Sequence, residues 1–267
     1  MNKDYFLATG EADRLRLERL NKLYNPLSQY FLLQNGLKAG MTVLEVGCGA
    51  GDMACWLAKT VGPEGKVVAI DSSSEQIALC KEKAKAQGYN NIQFLCMDVR
   101  EVDTLSDRFD MTYGRWVIYF TPDPRLVFEK IISVLKLGGV LSYETASDIR
   151  EGYFSSPETP IMAKSFDLSC RVLSAHFMLL DLGARLYHMF KELGLDAINT
   201  LVNQPLMKTA EEKSVIRLAA LTSKAHLLKV MSEKEYEEYI LELEAFEQSD
   251  VIAGYYRNIL AAGTHHG

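Results

Sequence analysis

Glu45, Gly47, Gly49 and Gly51, followed by a further carboxylate at Asp71, are the residues whose types and spacing most directly suggest chemistry. Glycine has no Cβ, so it takes up positive φ and lets a ligand approach the main chain where any other side chain would collide. In Val43-Leu44-Glu45-Val46-Gly47-Cys48-Gly49-Ala50-Gly51-Asp52 glycine occupies every second position, which describes a cradle for a nucleotide-like ligand. Asp71 closes the next apolar run, twenty positions after Gly51, where a carboxylate can accept both hydroxyls of a ribose. Dinucleotide enzymes use a glycine turn too, but space it G-x-G-x-x-G; the G-x-G-x-G spacing points away from NAD. For proton transfer the candidates are His176, in an aromatic stretch, and Glu144, at the end of another apolar run. His176 is also readable as a partly buried or surface histidine. Glu144 reads as a base, as an orienting group for an amine, or as a strand-end cap.

These residues resemble the first motif, E/D-x-G-x-G-x-G, of the class I S-adenosylmethionine-dependent methyltransferases. Glu45, Gly47, Gly49, Gly51 and Asp71 match the family position by position, and Asp98 in Phe94-Leu95-Cys96-Met97-Asp98-Val99 falls where the family places an acid for the adenine amino group. More narrowly, the stretch from Tyr5 to Leu15, Gly36-Leu37-Lys38-Ala39-Gly40-Met41, Gly114-Arg115-Trp116-Val117 and Asp123-Pro124 resemble a bacterial small-molecule branch related to the ubiquinone and menaquinone C-methyltransferases. The likeness is good over residues 37–144 and loose elsewhere, and Asp52 stands where that branch often has a small residue. The resemblance implies S-adenosylmethionine as cofactor and a Rossmann-like α/β fold: a mostly parallel seven-stranded sheet, helices on both faces, and an inserted helical lid. It implies a cofactor site of Glu45, Gly47, Cys48, Gly49, Gly51, Asp71, Ser72, Gln76, Asp98, Val99 and Arg115. Within that set Cys48 is read as a packing residue, Gln76 as facing the ribose, and Arg115 as a partner of the cofactor carboxylate, of an acidic substrate, or of a surface ion pair.

The elements that must position these groups follow from hydrophobic period. Apolar runs predict strands at 42–46, 66–71, 92–96, 109–113 and 140–144, separated by helical patterns at 52–60, 74–87 and 124–135, with Ser72 to Ser74 capping the second and Gly138-Gly139 turning the chain back into the sheet. Alternation of this kind specifies a parallel sheet covered on both faces. Before it lie helices at 11–23 and 27–35. After it, residues 146–181 carry aromatics without a strand pattern, followed by a helix at 182–193, a strand at 197–203, helices at 211–229 and 233–246, and a last strand near 255–260. We read one domain: a helical cap (1–36), a cofactor-binding core (37–145), and a substrate lid with the end of the sheet (146–267).

Composition narrows the function. A formal charge of −6 over 267 residues argues against a surface that tracks phosphates. The chain after the fourth strand lacks the N/D-P-P-Y box that holds a flipped base, and no cysteine lies near the end of the fourth or fifth strand. No apolar run approaches the ~18 residues of a membrane span. Five scattered cysteines without metal spacing and no amino-terminal leader suit the cytoplasm, with no metal expected. The leading expectation is methyl transfer from S-adenosylmethionine to O, N or C of a small, partly apolar acceptor. Alternatives are a macromolecular acceptor, a non-catalytic cofactor-binding regulator and, further off, an oxidoreductase. Oligomeric state is not legible.

Overall fold

The computed structural model describes residues 9–150, 152–175 and 179–267. The chain enters through α1 (Glu11–Gln34), a single helix where two were expected, with Pro26 inside it. A proline removes one helical N–H and crowds the preceding turn. Here side chains hold the helix across that point: Asn203 Nδ2 donates to the Tyr24 carbonyl (3.2 Å), and Tyr24 OH donates to the Tyr256 carbonyl (2.7 Å).

The apolar runs form β1 (Thr42–Val46), β2 (Lys66–Asp71), β3 (Ile92–Cys96), β4 (Phe109–Arg115) and β5 (Leu135–Ala146), linked by α2 (Asp52–Val61), α3 (Ser74–Ala86), a 3-10 turn at Val99–Thr104 and α4 (Pro124–Ser133). Ser73 caps α3 and Asp123 caps α4, each side chain accepting an amide of the first turn. Gly138 and Gly139 lie inside the span of β5 rather than before it, at the register shift between its first pair with β4 (Phe109–Leu135) and the next (Met111–Val140), and Gly138 has a turn-like φ of 78°.

Beyond β5 come β6 (Phe154–Ser156), α5 (Pro160–Leu173), α6 (Leu182–Glu192), β7 (Leu195–Asn203), β8 (Leu206–Met207), α7 (Ala210–Thr222), α8 (Lys224–Leu227), α9 (Glu233–Gln248), β9 (Ile252–Gly254) and β10 (Asn258–His265). The expected helix at 211–229 is thus broken at Ser223, and the last strand starts three residues later than expected and runs to His265. The main sheet has the order β3-β2-β1-β4-β5-β10-β7, parallel except for β10, which lies antiparallel between β5 and β7. A small antiparallel sheet, β6-β9-β8, stands apart.

Alternate sheet residues point to opposite faces. Leu44, Val46, Ile70, Leu141 and Tyr143 pack with α4 and α6, while Val43, Val67, Ala69, Met111 and Tyr113 pack with α1, α2 and α3. A separate apolar cluster joins α5, α7 and α9 to Leu20 and Tyr24 of α1, so these helices have their own core and are keyed to the first helix. From β1 the chain steps outward to β2 and β3, then crosses to β4 on the other side of β1. Sheets of this type bind ligands at that reversal, beyond the carboxyl ends of the strands.

Candidate functional site

The carboxyl ends of β1, β2 and β4 open into one cavity of about 420 Å³ that runs on beneath the lid helices. Its floor is the glycine loop. Gly47, Gly49 and Gly51 have φ of 70°, 51° and 78°, and the Gly47 and Cys48 amides donate to the Ile70 carbonyl (2.8 and 3.0 Å), tying the loop to β2. A Cβ at Gly47 would lie 1.9 Å from Val117 Cγ2, and one at Gly51 2.9 Å from Cys80 Sγ. The close approach of Val117 and Cys80 therefore requires glycine at these two positions.

Asp71 lines the cavity and braces the loop: Oδ2 accepts from the Gly49 amide (3.0 Å) and Oδ1 from the Ser73 amide (2.9 Å). Burial raises its carboxyl above the ordinary value, against the pull of those two amides. Each oxygen keeps a lone pair for a ligand hydroxyl. Gln76, one turn into α3, is buried, and its Oε1 has no hydrogen-bond partner. Ser72 lines the cavity beside Ser73, which is the capping residue. Asp98 and Val99 form the far wall; Arg100, which the sequence reading missed, grips Asp98 through Nε and NH2 (2.9 and 2.6 Å) and holds its carboxyl below the usual range. Cys48 is a packing thiol, pushed up by contact with Cys80 (3.7 Å) and by burial.

Arg115 is not a surface ion pair. It is half-buried at the cavity wall, its NH2 donating to Asn21 and Asn25 of α1 (2.7 and 3.0 Å), and its guanidinium lies over the rings of Tyr24 and Trp116 (5.6 and 6.0 Å). Trp116 has φ 57°, a left-handed conformation rare for a large side chain, with its indole N–H on Asn258 (3.1 Å). Glu45 also lines the cavity, almost wholly buried.

Glu144 stands elsewhere. It is fully buried and absent from the cavity wall, its carboxylate accepting from Ser28 (2.5 Å), Tyr113 (3.2 Å), Asn258 (2.9 Å) and Asn203 (3.3 Å), with Arg115 at 3.9 Å. With its lone pairs so engaged it anchors α1, β4, β7 and β10 to β5, a placement that does not suit a base or an amine holder. His176 lies outside the described residues. His188 is exposed beside Tyr187, and His265 ends β10. Among the described residues no histidine lines the cavity.

The lid end of the cavity is aromatic. Phe166, Tyr255 and Tyr256 form a contiguous set (Phe166–Tyr256 4.6 Å, Tyr255–Tyr256 4.7 Å between centroids), with Trp116 edge-on to Tyr256 at 6.4 Å. Its hydroxyls are largely used within the protein: Tyr239 donates to Ser165 (3.0 Å), Ser165 to the Ile161 carbonyl (2.7 Å) and Ser169 to the Ser165 carbonyl (2.9 Å). The cation in this region, Arg16, is matched by Asp13 through its Nε and NH2.

A family model described as a methyltransferase domain matches residues 37–194. The chain belongs to that family. The domain has the class I, Rossmann-like fold, and the cofactor of that family is S-adenosylmethionine. Among curated relatives, the demethylmenaquinone methyltransferase of Lactococcus lactis is 33% identical over 130 residues, 48% of each chain, and that of Oceanobacillus iheyensis 30% over 118 residues, 44% of this chain and 50% of its own. The methyltransferase thus spans about half the length of these relatives. Solved structures share the fold. The YcgJ protein from Bacillus subtilis has a TM-score of 0.57 at 16% identity, covering 90% of this chain and 97% of its own. Phosphoethanolamine N-methyltransferase 2 of Haemonchus contortus, bound to phosphomonomethylethanolamine and S-adenosylhomocysteine, has a TM-score of 0.56 at 18% identity, covering 91% and 53%.

The residues present fit the cofactor. A cradle that a Cβ would fill, an unpartnered amide oxygen at Gln76 and a carboxylate with free lone pairs at Asp71 line the same wall. Among the described residues, no helix is long and apolar enough to cross a membrane.

Proposed function

We propose that the protein transfers a methyl group from S-adenosylmethionine to a small, largely apolar, ring-bearing acceptor enclosed by the lid. The carrying observation is that one cavity joins the glycine cradle to the aromatic set of Trp116, Phe166, Tyr255 and Tyr256. When bound, the cofactor supplies an already activated sulfonium methyl for in-line displacement. Asp71 and Gln76 hold the ribose; Asp98 and Val99 frame the adenine; Gly47 to Gly51 let the amino-acid end pass close to the main chain, toward Glu45 and Arg115. Trp116, braced by Asn258 at its indole and by the Glu144 carbonyl at its amide (3.1 Å each), stands between the two halves and limits where an acceptor can lie.

The acceptor brings its own electron pair. Burial pushes the Tyr239 hydroxyl to about 12 and Tyr255 and Tyr256 well above their ordinary value, so these phenols stay protonated near neutrality. The lining carboxylates, Glu45, Asp71 and Asp98, sit at the cofactor end. Alignment then carries the rate, and orientation alone is worth ~7–11 kcal/mol in well-arranged reactions. The name of the Lactococcus relative supports an acceptor with a ring. Five free cysteines suit a reducing compartment, and we place the protein in the cytoplasm as one functional unit. Purified protein, methyl-labelled cofactor and a metabolite extract test the reading. Label should appear in small apolar species; label in RNA or protein, or none transferred, overturns it.

A further inference from the structure

The glycine loop carries a thiol that methyl transfer does not use, and a second thiol stands against it. Cys48 and Cys80 are both buried, with their sulfurs 3.7 Å apart. Cys48 sits between Gly47 and Gly49 and borders the cavity, while Cys80 belongs to α3. Cys80 also holds the loop: its Sγ donates to the Gly49 carbonyl (3.1 Å), and the Gly49 amide donates to Asp71 (3.0 Å). Gly49 is thus fixed from two sides, by a carboxylate that faces the cavity and by a thiol of the pair. A disulfide needs its sulfurs about 2.05 Å apart, so side-chain rotation has less than ~2 Å of separation to close. Cys55, on α2, is a third buried thiol in the neighbourhood of Cys80.

We propose that Cys48 and Cys80 form a reversible modification site for hydrogen peroxide, and that the disulfide they make distorts the glycine loop and weakens cofactor binding. This rests on the reading that the loop holds S-adenosylmethionine. Reaction begins at Cys48, the thiol that borders the cavity: its sulfur attacks one peroxide oxygen, the O–O bond breaks, and a sulfenic acid and one water form. Cys80 then attacks the oxidised sulfur, making the S–S bond and releasing a second water. Two S–H bonds are lost, both sulfurs are oxidised, and one peroxide is reduced to two waters. The product has no thiol left to hold the Gly49 carbonyl, and Cys48 is tied to α3. Gly49 then loses the position from which its amide meets Asp71, and with it the shape of the ribose wall. Contact with Cys80 and burial push the Cys48 thiol up, and the thiolate is the attacking form, so the site reacts slowly and answers to an excess of peroxide. Cellular thiols reverse it by exchange, so the resting state in a reducing compartment is the dithiol.

The test exposes the reduced full chain to hydrogen peroxide, traps remaining thiols with N-ethylmaleimide, and identifies peptides by mass after digestion that includes cleavage before Asp52, which separates Cys48 from Cys55. The peptides of Cys48 and Cys80 should appear joined and two hydrogens lighter. Affinity for S-adenosylhomocysteine, read by calorimetry, should fall by about tenfold, the equivalent of one lost hydrogen bond. Dithiothreitol should restore it, which separates the effect from sulfoxide formation at Met53 and Met97 on the same cavity wall. Saturation with S-adenosylhomocysteine beforehand should slow the linkage, and Cys80→Ala should bind equally before and after peroxide. Oxidation of exposed Cys96 without a link between Cys48 and Cys80 overturns the proposal whether or not the variant folds. So does a link that leaves affinity unchanged, a link from Cys80 to Cys55 instead, or an equal loss of affinity in Cys80→Ala. Failure of the reduced protein to bind S-adenosylhomocysteine removes instead the cofactor reading beneath it, and the disulfide is then judged by mass.

Discussion

At the scale of single residues, backbone constraints and contact geometry separate groups that look alike in a list of carboxylates. Asp71 touches Gly49 and Ser73 through both oxygens, so it shapes the loop as well as facing the cavity. Asp71→Ala is expected to weaken S-adenosylmethionine binding by ~1–3 kcal/mol in calorimetry, with unchanged affinity contradicting the ribose assignment. Glu144 is expected to matter for stability instead. Glu144→Ala leaves Ser28, Asn203, Asn258 and Arg115 without their shared acceptor, and urea unfolding should show a loss of ~3–5 kcal/mol, the range for breaking a buried pair from one side. Glu45 gives a pH signature in the free protein. Its folded-state carboxyl lies near 8 against an ordinary 4.5, so the folded form holds the extra proton, and stability on this account falls as pH rises through that interval. Melting of the cofactor-free protein should drop between pH 6 and 8, with a shallower slope in Glu45→Gln; equal slopes would place Glu45 among ordinary ionised acids. The glycines and Asp71 were legible in the sequence because their constraint lies in the local backbone. The anchoring contacts of Glu144, left open in the sequence between base, amine holder and strand-end cap, were not legible because its partners, at positions 28, 113, 203 and 258, come from separate elements that no spacing rule brings together.

At the scale of elements, the loop from β1 to α2 is held by sterics as much as by hydrogen bonds. Gly47→Ala adds a methyl 1.9 Å from Val117 Cγ2 in addition to ~1–2 kcal/mol of left-handed strain, so it should lower the melting temperature and abolish cofactor binding. Gly36→Ala, whose Cβ meets nothing within 4 Å, should carry only the strain and leave binding intact. If both variants bind alike, packing behind the loop is not what shapes the cradle. The strands and helices of residues 42–146 were readable because each carries its own hydrophobic period and most have a cap or turn at their ends. Pro26 reads as a break, yet α1 continues because Tyr24 is tied to the Tyr256 carbonyl and Ser28 to Glu144 of β5; Gly138-Gly139 reads as a turn before the strand, and the pair falls within β5 at its register shift, Gly138 with φ 78°. The three-stranded sheet β6-β9-β8 joins segments about a hundred residues apart, a pairing without local signal.

At the scale of the molecule, the sheet and the lid divide the work. The sheet's reversal between β1 and β4 makes a place for a nucleotide, and the lid core of α5, α7 and α9, keyed to Leu20 and Tyr24 of α1, closes an aromatic chamber over it. Trp116 belongs to both, packed against the core beneath the sheet and against the lid cluster. The ring geometry was not legible in the sequence, since Trp116, Phe166 and Tyr256 follow β4, lie in α5 and precede β10, far apart along the chain. The central claim is that the cofactor lies in the glycine crevice with its sulfur turned toward those rings. The most direct measurement is a crystal structure of the protein with S-adenosylhomocysteine. It should show the ribose on Asp71, the amino-acid end between Glu45 and Arg115, and the sulfur facing Trp116 and Tyr256. Density for the ligand outside this cavity, or a sulfur turned away from the aromatic chamber, would contradict the account.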